Sequence, residues 1–379
     1  MMWLLSVLSF VMVSVYSFQL VKWKIAWSKI KEYHSGQTNF TTKVSIIIAV
    51  RNEETNIEQV LNSLLQQHYP KDFFEVIVSD DESNDQTVAK SKYFFSNRPE
   101  LNGIVIEKQI NISASKKEAL KQAIEIAKGE LIITTDADCL HHPEWLQTMV
   151  SYYVLHQPMM ICGPVLMKGN DSLLQQFQTM DYLSLQISGA ASLALNKPLL
   201  CSGANLAFTR NAFYNVNGYD DNLHIVSGDD TFLMLKMNER FPGKVHFIKS
   251  QKAIVTTKCS STLKEFLQQR IRWISKTNYY SNSFITTLGR FVFLVNFLIL
   301  ILITTTAYNP SLFIIAVTYL FSKTIADYYF LSQTSKFFNI SINKISFMLM
   351  ELFYPLYLIA LFRGMLSGSY QWKERNHNS

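Results

Sequence analysis

The chain has 379 residues, of which 48% are hydrophobic and 17% charged, and its formal net charge is +6. This length allows a full core, and the apolar excess, which lies at the two ends, excludes an ordinary soluble enzyme. The positive charge does not indicate a nucleic-acid partner, because the Lys and Arg residues cluster beside apolar segments and form no basic stripe interleaved with aromatic residues.

The N-terminal segment has the length and composition of a membrane anchor. Residues 1–21 contain no charged side chain, and about 20 apolar residues suffice to cross a bilayer as a helix. A cleaved secretory signal carries positive charge before its apolar run, whereas Lys22 and Lys24 follow this one. We therefore predict an uncleaved transmembrane anchor over 1–21. The positive flank places the following domain in the cytoplasm, and we expect the membrane to be a bacterial inner (plasma) membrane.

The central part of the chain, 40–280, is predicted to form one α/β domain. Apolar β-branched runs alternate with segments of helical periodicity, which favours a Rossmann-like, mostly parallel sheet. The predicted strands are 44–50, 74–78, 104–106 and 131–135, and the predicted helices between them are 57–64 and 115–127. Ligands of such sheets bind at the carboxyl ends of the strands.

The second half of this domain has a less regular pattern. A strand-like run at 159–165 precedes a helix at 173–185, and Gly189-Ala190-Ala191-Ser192 is interpreted as a flexible connection. No internal repeat or low-complexity linker separates this half from the first. We therefore expect a single domain here.

Acidic pairs follow two of the predicted strands. Asp136 and Asp138 are two residues apart in an extended segment, so both carboxylates point the same way and can face one Mg²⁺ or Mn²⁺ ion. Asp80 and Asp81 follow the second strand, where they are placed to hydrogen-bond the base and ribose of a nucleotide. The alternative for both pairs is a loop or turn cap.

Two further motifs suit the chemistry of a phosphorylated substrate. Lys116, at the start of a helix, offers a cation and free backbone N–H groups to a diphosphate, although a solvated lysine is the alternative. Gly228-Asp229-Asp230 precedes a helix that the two acids would cap. One of a close pair of carboxylates can also act as a general base on a hydroxyl, and we favour Asp230 over Asp229 for that role.

A predicted helix from Leu263 carries Gln269, Arg272 and Trp273, with Gln269 and Arg272 three residues apart on one face. Arginine and an amide can bind a diphosphate, and an indole can stack on a sugar. The alternative is that Arg272 and Trp273 anchor the chain at the membrane interface.

The C-terminal part, 290–365, is predicted to contain about three apolar membrane segments. These are 291–307, 311–331 and 345–362. The middle segment is weaker because Lys323 and Asp327 interrupt it. Three crossings would place the basic tail outside the cytoplasm, against the charge rule, so one of the segments is expected to be interfacial or re-entrant.

Read in order, these residues resemble the membrane-bound family 2 glycosyltransferases, which include cellulose-, chitin- and hyaluronan-type synthases and ceramide glucosyltransferases. The resemblance spans residues 44–273. Its motifs are the strand and Asn-Glu loop at 44–54, the aspartate Asp81, the metal motif Asp136-Ala-Asp138, the base Asp230, and the Gln-x-x-Arg-Trp signature at Gln269, Arg272 and Trp273.

The resemblance implies a GT-A fold, a UDP-sugar donor, and Mg²⁺ or Mn²⁺ as cofactor. It places Arg51 and Glu53 near the uridine, Asp81 on the base and Lys116 near the phosphates. Asp136 and Asp138 would serve the nucleotide and the metal. In this scheme Asp230 deprotonates an acceptor hydroxyl for inverting transfer, while Gln269 and Arg272 stabilise the departing UDP.

Two positions depart from the family pattern, since Asp229 stands where Glu is usual and Arg51 where an aromatic residue is common.

About four membrane segments are few for exporting a polymer, so we expect transfer to a lipid or glycan acceptor in the membrane, most simply a lipid alcohol. The alternatives are a processive β-polysaccharide synthase and a catalytically silent protein that binds a nucleotide or a partner. A dinucleotide dehydrogenase is disfavoured because no Gly-x-Gly-x-x-Gly follows the first strand.

Overall fold

The computed structural model describes residues 2–36, 41–107, 115–223, 225, 227–280, 282–366, 369–372 and 375–378. The helices are α1 (Met2–Lys29), α2 (Ile57–Leu65), α3 (Thr87–Asn97), α4 (Lys116–Ile126), α5 (Trp145–His156), α6 (Leu173–Ala194), α7 (Arg210–Asn215), α8 (Asp229–Arg240), α9 (Leu263–Ser275), α10 (Ser283–Thr306), α11 (Phe313–Thr334) and α12 (Lys344–Leu366). The strands are β1 (Val44–Val50), β2 (Phe74–Asp80), β3 (Gly103–Glu107), β4 (Leu131–Thr135), β5 (Leu140–His141), β6 (Met160–Cys162), β7 (Val165–Lys168), β8 (Leu206–Thr209), β9 (Val245–Phe247), β10 (Val255–Lys258), β11 (Ser369–Trp372) and β12 (Arg375–Asn378).

The chain divides into two compact units. The sheet unit consists of Ile30–Lys168 and Ser192–Lys258. The helical unit consists of Met1–Lys29, Gly169–Ala191 and Cys259–Ser379. Residues 169–191 and 259–280, which the sequence analysis assigned to the α/β domain, therefore belong to the helical unit.

The sheet unit is built around a seven-stranded sheet in the order β3-β2-β1-β4-β8-β6-β9. Strands β3, β2, β1 and β4 are parallel, β8 runs antiparallel to both β4 and β6, and β9 is parallel to β6. A second, three-stranded sheet has the order β5-β10-β7. The predicted mostly parallel α/β fold is confirmed.

The central strands bring the predicted acidic residues to one edge of the sheet. The side chains of Ile46, Ile47 and Ile48 are fully buried, as expected for a parallel strand that is covered on both faces. The register pairs Val50 with Asp80. Because β1 and β4 are paired in parallel as well, the residues that follow β1, β2 and β4 leave the sheet at the same edge.

Two predictions about the second half of the α/β region are wrong. The segment Gly189–Ser192 is not a connection but lies inside α6, where Ala191 and Ser192 are fully buried. Small side chains there suit close packing, and that packing outweighs the weak helix propensity of glycine. The run 159–165 forms two strands, β6 and β7, which belong to different sheets and are separated by Gly163 and Pro164.

The helical unit contains the membrane-length helices. Within the described part of the chain, three helices are long and apolar enough to cross a membrane, namely Trp3–Lys29, Ser283–Thr306 and Lys344–Leu366. The predicted anchor at 1–21 thus belongs to a helix that continues to Lys29. The middle C-terminal segment, α11, is not among the three. It carries Lys323, whose Nζ lies 2.9 Å from Asp327 and 2.6 Å from Glu351.

Candidate active site

A lysine on α4 joins the acidic residue after β4 to the acidic pair on α8. Lys116 Nζ donates to Asp136 Oδ1 at 2.7 Å and lies 3.8 Å from Asp229 Oδ2. Ser115 caps α4 by accepting a hydrogen bond from the Glu118 N–H, which fixes the start of this helix. Burial alone would lower the pKa of Lys116, but Asp136 and Asp229 raise it above its ordinary value, so the ammonium stays charged.

Asp138 is a carboxylate whose surroundings disfavour its charged form. Its burial, together with repulsion from Asp136 and Glu53, raises the pKa of the Asp138 carboxyl. Thr257 Oγ1, on β10, donates to Asp138 Oδ2 at 2.9 Å and orients the group. A bound cation would relieve the repulsion that Asp136 and Glu53 exert on the Asp138 carboxylate.

The donor set at this position suits a hard divalent cation. Asp136 and Asp138 provide carboxylate oxygens, and Mg²⁺ is commonly held by one or two carboxylates together with substrate phosphates. Oxygen ligands of this kind suit Mn²⁺ as well. Among the residues that the structure describes, no group of three or more His, Cys, Asp or Glu side chains is arranged to hold a metal. The residues present therefore fit a cation that is shared with a phosphorylated ligand.

The acidic pair on α8 is held by backbone groups. Gly203 N–H donates to Asp230 Oδ2 at 3.1 Å, and Thr231 N–H donates to Asp230 Oδ1 at 2.6 Å. Thr134 Oγ1 donates to the Gly203 carbonyl at 2.8 Å, which ties this segment to β4. A Cβ atom at position 203 would lie 3.2 Å from Asp229 Oδ2, so glycine allows the close approach. The Asp230 carboxylate therefore has a fixed orientation, and the N-cap of α8 is Gly228, without a side-chain capping hydrogen bond.

The loops that follow β1 and β2 are bonded to each other. Arg51 Nη1 donates to the carbonyls of Asp81 and Glu82 at 2.6 and 2.7 Å. Ser83 N–H donates to the Asp80 carboxylate at 3.1 Å. In the structure Asp80 closes a turn, as the alternative interpretation held, and Arg51 supports the loop that carries Asp81. Contact of these side chains with a nucleotide stays a prediction.

Glu53 belongs to the same loop framework. Its backbone N–H donates to Thr87 Oγ1 at 2.8 Å, and its carboxylate accepts a hydrogen bond from Asn56 Nδ2 at 2.8 Å. Asn52, which has a positive φ of 50°, donates from its N–H to Ser83 Oγ at 3.0 Å. The backbone of the Asn-Glu loop is therefore set before any ligand binds.

The predicted signature on α9 lies in the helical unit. A capping box formed by Thr262 and Glu265 begins this helix. Gln269 Oε1 accepts a hydrogen bond from Arg270 Nη1 at 2.7 Å, and the Trp273 ring centre lies 4.1 Å from the Arg270 guanidinium carbon. Gln269 and Trp273 therefore both contact Arg270.

Sequence analysis missed the buried ion pair beside that signature. Arg270 Nε donates to Asp181 Oδ2 at 2.8 Å, and each side chain is only 3% exposed. The available signal was Asp181, the single charged residue of helix α6, since a buried charge requires a partner. Arg270, rather than Arg272, is the buried arginine of α9.

A buried histidine that was not predicted to matter lies next to the predicted metal motif. His141 Nε2 and Thr135 Oγ1 are 2.9 Å apart, and His141 Nδ1 and Ser63 Oγ are 2.9 Å apart. Burial lowers the pKa of His141 to about 3, so the ring is neutral. Because Thr135 directly precedes Asp136, this network braces the end of β4.

A mostly parallel sheet that carries acidic residues at the carboxyl ends of its strands agrees with the expected GT-A fold. The family model for "Glycosyl transferase family 2" matches residues 45–216. The family model for "Glycosyl transferase family group 2" matches residues 131–362, and this second match covers more than half of the chain. The chain belongs to glycosyl transferase family group 2.

The chain is similar to proteins from several organisms. It is 28% identical over 245 residues to the probable glycosyltransferase YdaM of Bacillus subtilis, covering 62% of this chain and 56% of that protein. It is 29% identical over 111 residues to a beta-monoglucosyldiacylglycerol synthase of Synechocystis sp., covering 29% of this chain and 23% of that protein. The chain thus spans about half or less of the length of these relatives.

A solved structure shares the fold over almost the whole chain. It is the mannosyltransferase PcManGT of Pyrobaculum calidifontis in complex with GDP-Man and Mn²⁺, with a TM-score of 0.60 and 18% sequence identity. The match covers 96% of this chain and 97% of that one. The predicted GT-A fold is thereby confirmed.

Proposed function

We propose that this protein is an inverting glycosyltransferase that moves a sugar from a UDP-sugar to a membrane-associated acceptor, most simply the hydroxyl group of a lipid. The observation that carries the proposal is the position of Lys116 between Asp136 and Asp229. This contact joins a site suited to a metal-bound diphosphate to a pair of carboxylates suited to proton transfer, at the ligand-binding edge of the sheet.

The donor is held by Lys116, Asp136 and Asp138. The two carboxylates would hold Mg²⁺ or Mn²⁺, and the bound ion supplies positive charge that neutralises the diphosphate. The Lys116 ammonium is buried enough to act on charge with little screening, since its side chain is only 21% exposed. Its interaction with the diphosphate would stabilise the negative charge that develops on the leaving group.

Asp230 is the general base in this proposal. As its carboxylate takes the proton of the acceptor hydroxyl, the acceptor oxygen bonds to the anomeric carbon and the bond from that carbon to the UDP oxygen breaks. The electron pair of the broken bond leaves with UDP, and attack from the opposite side inverts the anomeric configuration. The N–H groups of Gly203 and Thr231 hold the carboxylate in one orientation, which favours a near-attack geometry.

The remaining site assignments are retained as parts of the proposal. Asp81, with Glu53 and Asp80 in the same loop framework, would contact the uridine. On α9, Gln269 and Arg272 carry an amide and a guanidinium, which suit the departing diphosphate, and Trp273 carries an indole, which suits a sugar. Uridine is preferred over guanosine because of the resemblance to UDP-sugar enzymes, although the PcManGT structure contains GDP-Man.

A lipid acceptor is supported by the membrane-length helices and by the name of the Synechocystis relative, a glucosyldiacylglycerol synthase. The basic residues after the first span favour a cytoplasmic catalytic domain at a plasma membrane, and we propose a bacterial inner membrane. The name of the Synechocystis relative, a synthase of a monoglucosyl lipid, supports single transfer over processive polysaccharide synthesis.

A donor panel tests the proposed function. The purified protein in lipid nanodiscs is incubated with sugar-labelled UDP and GDP donors, Mg²⁺ or Mn²⁺, and lipid extract, and the products are separated by size. We expect one UDP-sugar to label a lipid with a single residue, and we expect EDTA to stop the reaction until the cation is restored. Long labelled chains would instead establish the processive alternative, and no product from any donor would support the catalytically silent one.

A further inference from the structure

Next to Lys116 lies a second lysine that the proposed reaction does not use. The Lys117 side chain is fully buried. Its Nζ donates to the Asn222 carbonyl at 2.7 Å and lies 5.0 Å from the centre of the Phe232 ring. Removing an ammonium group from water is unfavourable unless its new contacts compensate for the lost hydration. A methionine would fill the same volume without that cost, so the charge at this position requires an explanation.

These two contacts of Lys117 are made by residues that lie before and after Asp229 and Asp230 in the sequence. Asn222 ends the turn Asp220–Asn222, which precedes the pair, and Phe232 lies on α8 two residues after Asp230. Phe232 is itself buried, so its ring is a fixed contact rather than a mobile one. Lys117 therefore connects α4 to the segment that leads into α8 and to the first turns of α8.

Two other lysines contact the turn Asp220–Asn222 at the protein surface. Lys121, one helical turn after Lys117 on α4, donates to Asp220 at 2.6 Å, and Lys236 donates to Asp221 at 2.9 Å. The Lys121 and Asp220 side chains are 32% and 54% exposed, and such ion pairs contribute little to stability. The contact of Lys117 is of a different kind, because the Lys117 side chain is fully buried and its acceptor, the Asn222 carbonyl, is partly buried.

We propose that Lys117 is a positioning residue that sets the start of α8, and with it the Asp230 carboxylate, relative to the acceptor hydroxyl. This inference rests on the proposed function. Lys116 and Lys117, which are adjacent on α4, then have different roles. Lys116 acts on the donor phosphates, and Lys117 acts through the backbone that carries the base.

The variant Lys117→Met tests this role because it keeps the side-chain volume and removes the ammonium. We expect kcat for transfer to fall by about 10²-fold, the loss that a small misplacement of a reacting group causes. The donor KM should change by less than about threefold, since the contacts of Lys116 are intact. Amide hydrogen exchange in 218–223 and 227–234 should become faster in this variant, with or without donor. Lys121→Met, which removes the partly exposed contact to the same turn, should leave kcat and exchange unchanged.

An unchanged kcat and unchanged exchange in Lys117→Met would overturn the inference, and so would a donor KM that rises as much as kcat falls. If Lys117→Met does not fold, Phe232→Leu removes the ring beneath the ammonium and should lower kcat by about tenfold with the donor KM retained; an unchanged kcat there overturns the inference too. If the wild-type protein transfers no sugar, the proposed function fails. The exchange measurement then still reports whether Lys117 orders the start of α8.

Discussion

Replacing Asp230 with Asn is expected to slow sugar transfer by about 10²- to 10⁴-fold, the range for loss of a general base. An asparagine amide cannot take a proton from the acceptor, and its single oxygen can keep only one of the two hydrogen bonds that Gly203 N–H and Thr231 N–H donate to Asp230. We expect the loss of the second bond to lower the melting temperature slightly, while the donor KM stays close to that of the wild type. Steady-state kinetics at saturating acceptor measure the effect.

The matched control for this variant is Asp72→Asn, an exposed aspartate of the sheet unit that lies before β2. It removes the same charge and should leave kcat unchanged. Transfer at the wild-type rate by Asp230→Asn would show that Asp230 is not the base. In that case Asp229→Asn is the variant to compare, because Asp229 is the second carboxylate of the pair.

Lys116→Met is expected to reduce kcat/KM for the donor by about 10²- to 10³-fold, comparable to the loss of one charge-stabilising group. The ammonium neutralises Asp136 at 2.7 Å and Asp229 at 3.8 Å. Its removal takes away one contact to the diphosphate and leaves the two carboxylates to repel the donor. The donor KM should rise and kcat should fall, whereas Asp230→Asn is expected to change kcat alone.

Lys128→Met is the control for this second variant, since Lys128 is an exposed lysine close to the end of α4. Its kinetics should match those of the wild type. Lys116→Arg keeps the positive charge and should recover part of the donor affinity. A Lys116→Met protein with normal donor KM and normal kcat would mean that Lys116 serves only to hold α4 against Asp136.

The strands next to the site were predictable because their signal is local. β1 and β4 have the predicted bounds, 44–50 and 131–135, since a run of β-branched residues between polar loops has few other ways to be buried. Asp81 directly follows β2 and Asp136 directly follows β4, so their common edge of the sheet could be inferred from the parallel order alone. For Asp136 and Asp138, the sequence therefore predicted both the place in the sheet and the side-chain chemistry.

Contacts between distant segments were not predictable in the same way. Lys117 and Asp181 look like ordinary polar positions of helices, and only the fold buries them, beside Asn222 and Arg270 respectively. The helix α6 likewise continues through Gly189, because buried packing there outweighs local propensity. Whether a charged side chain is buried depends on which distant segments pack against it in the fold. The periodicity of a single sequence carries no information about those tertiary contacts.

The most direct test of the account is a calorimetric titration of the protein with UDP, with Mn²⁺ present and with EDTA. The account predicts that the cation tightens UDP binding by about 5- to 150-fold, the usual range of coupling between two ligands. It also predicts that Asp138→Asn removes this enhancement, because one of the two carboxylates proposed to hold the cation is then replaced by a neutral amide. Equal affinity for UDP with Mn²⁺ and with EDTA, unaltered in Asp138→Asn, would contradict a metal-bound nucleotide at this edge of the sheet.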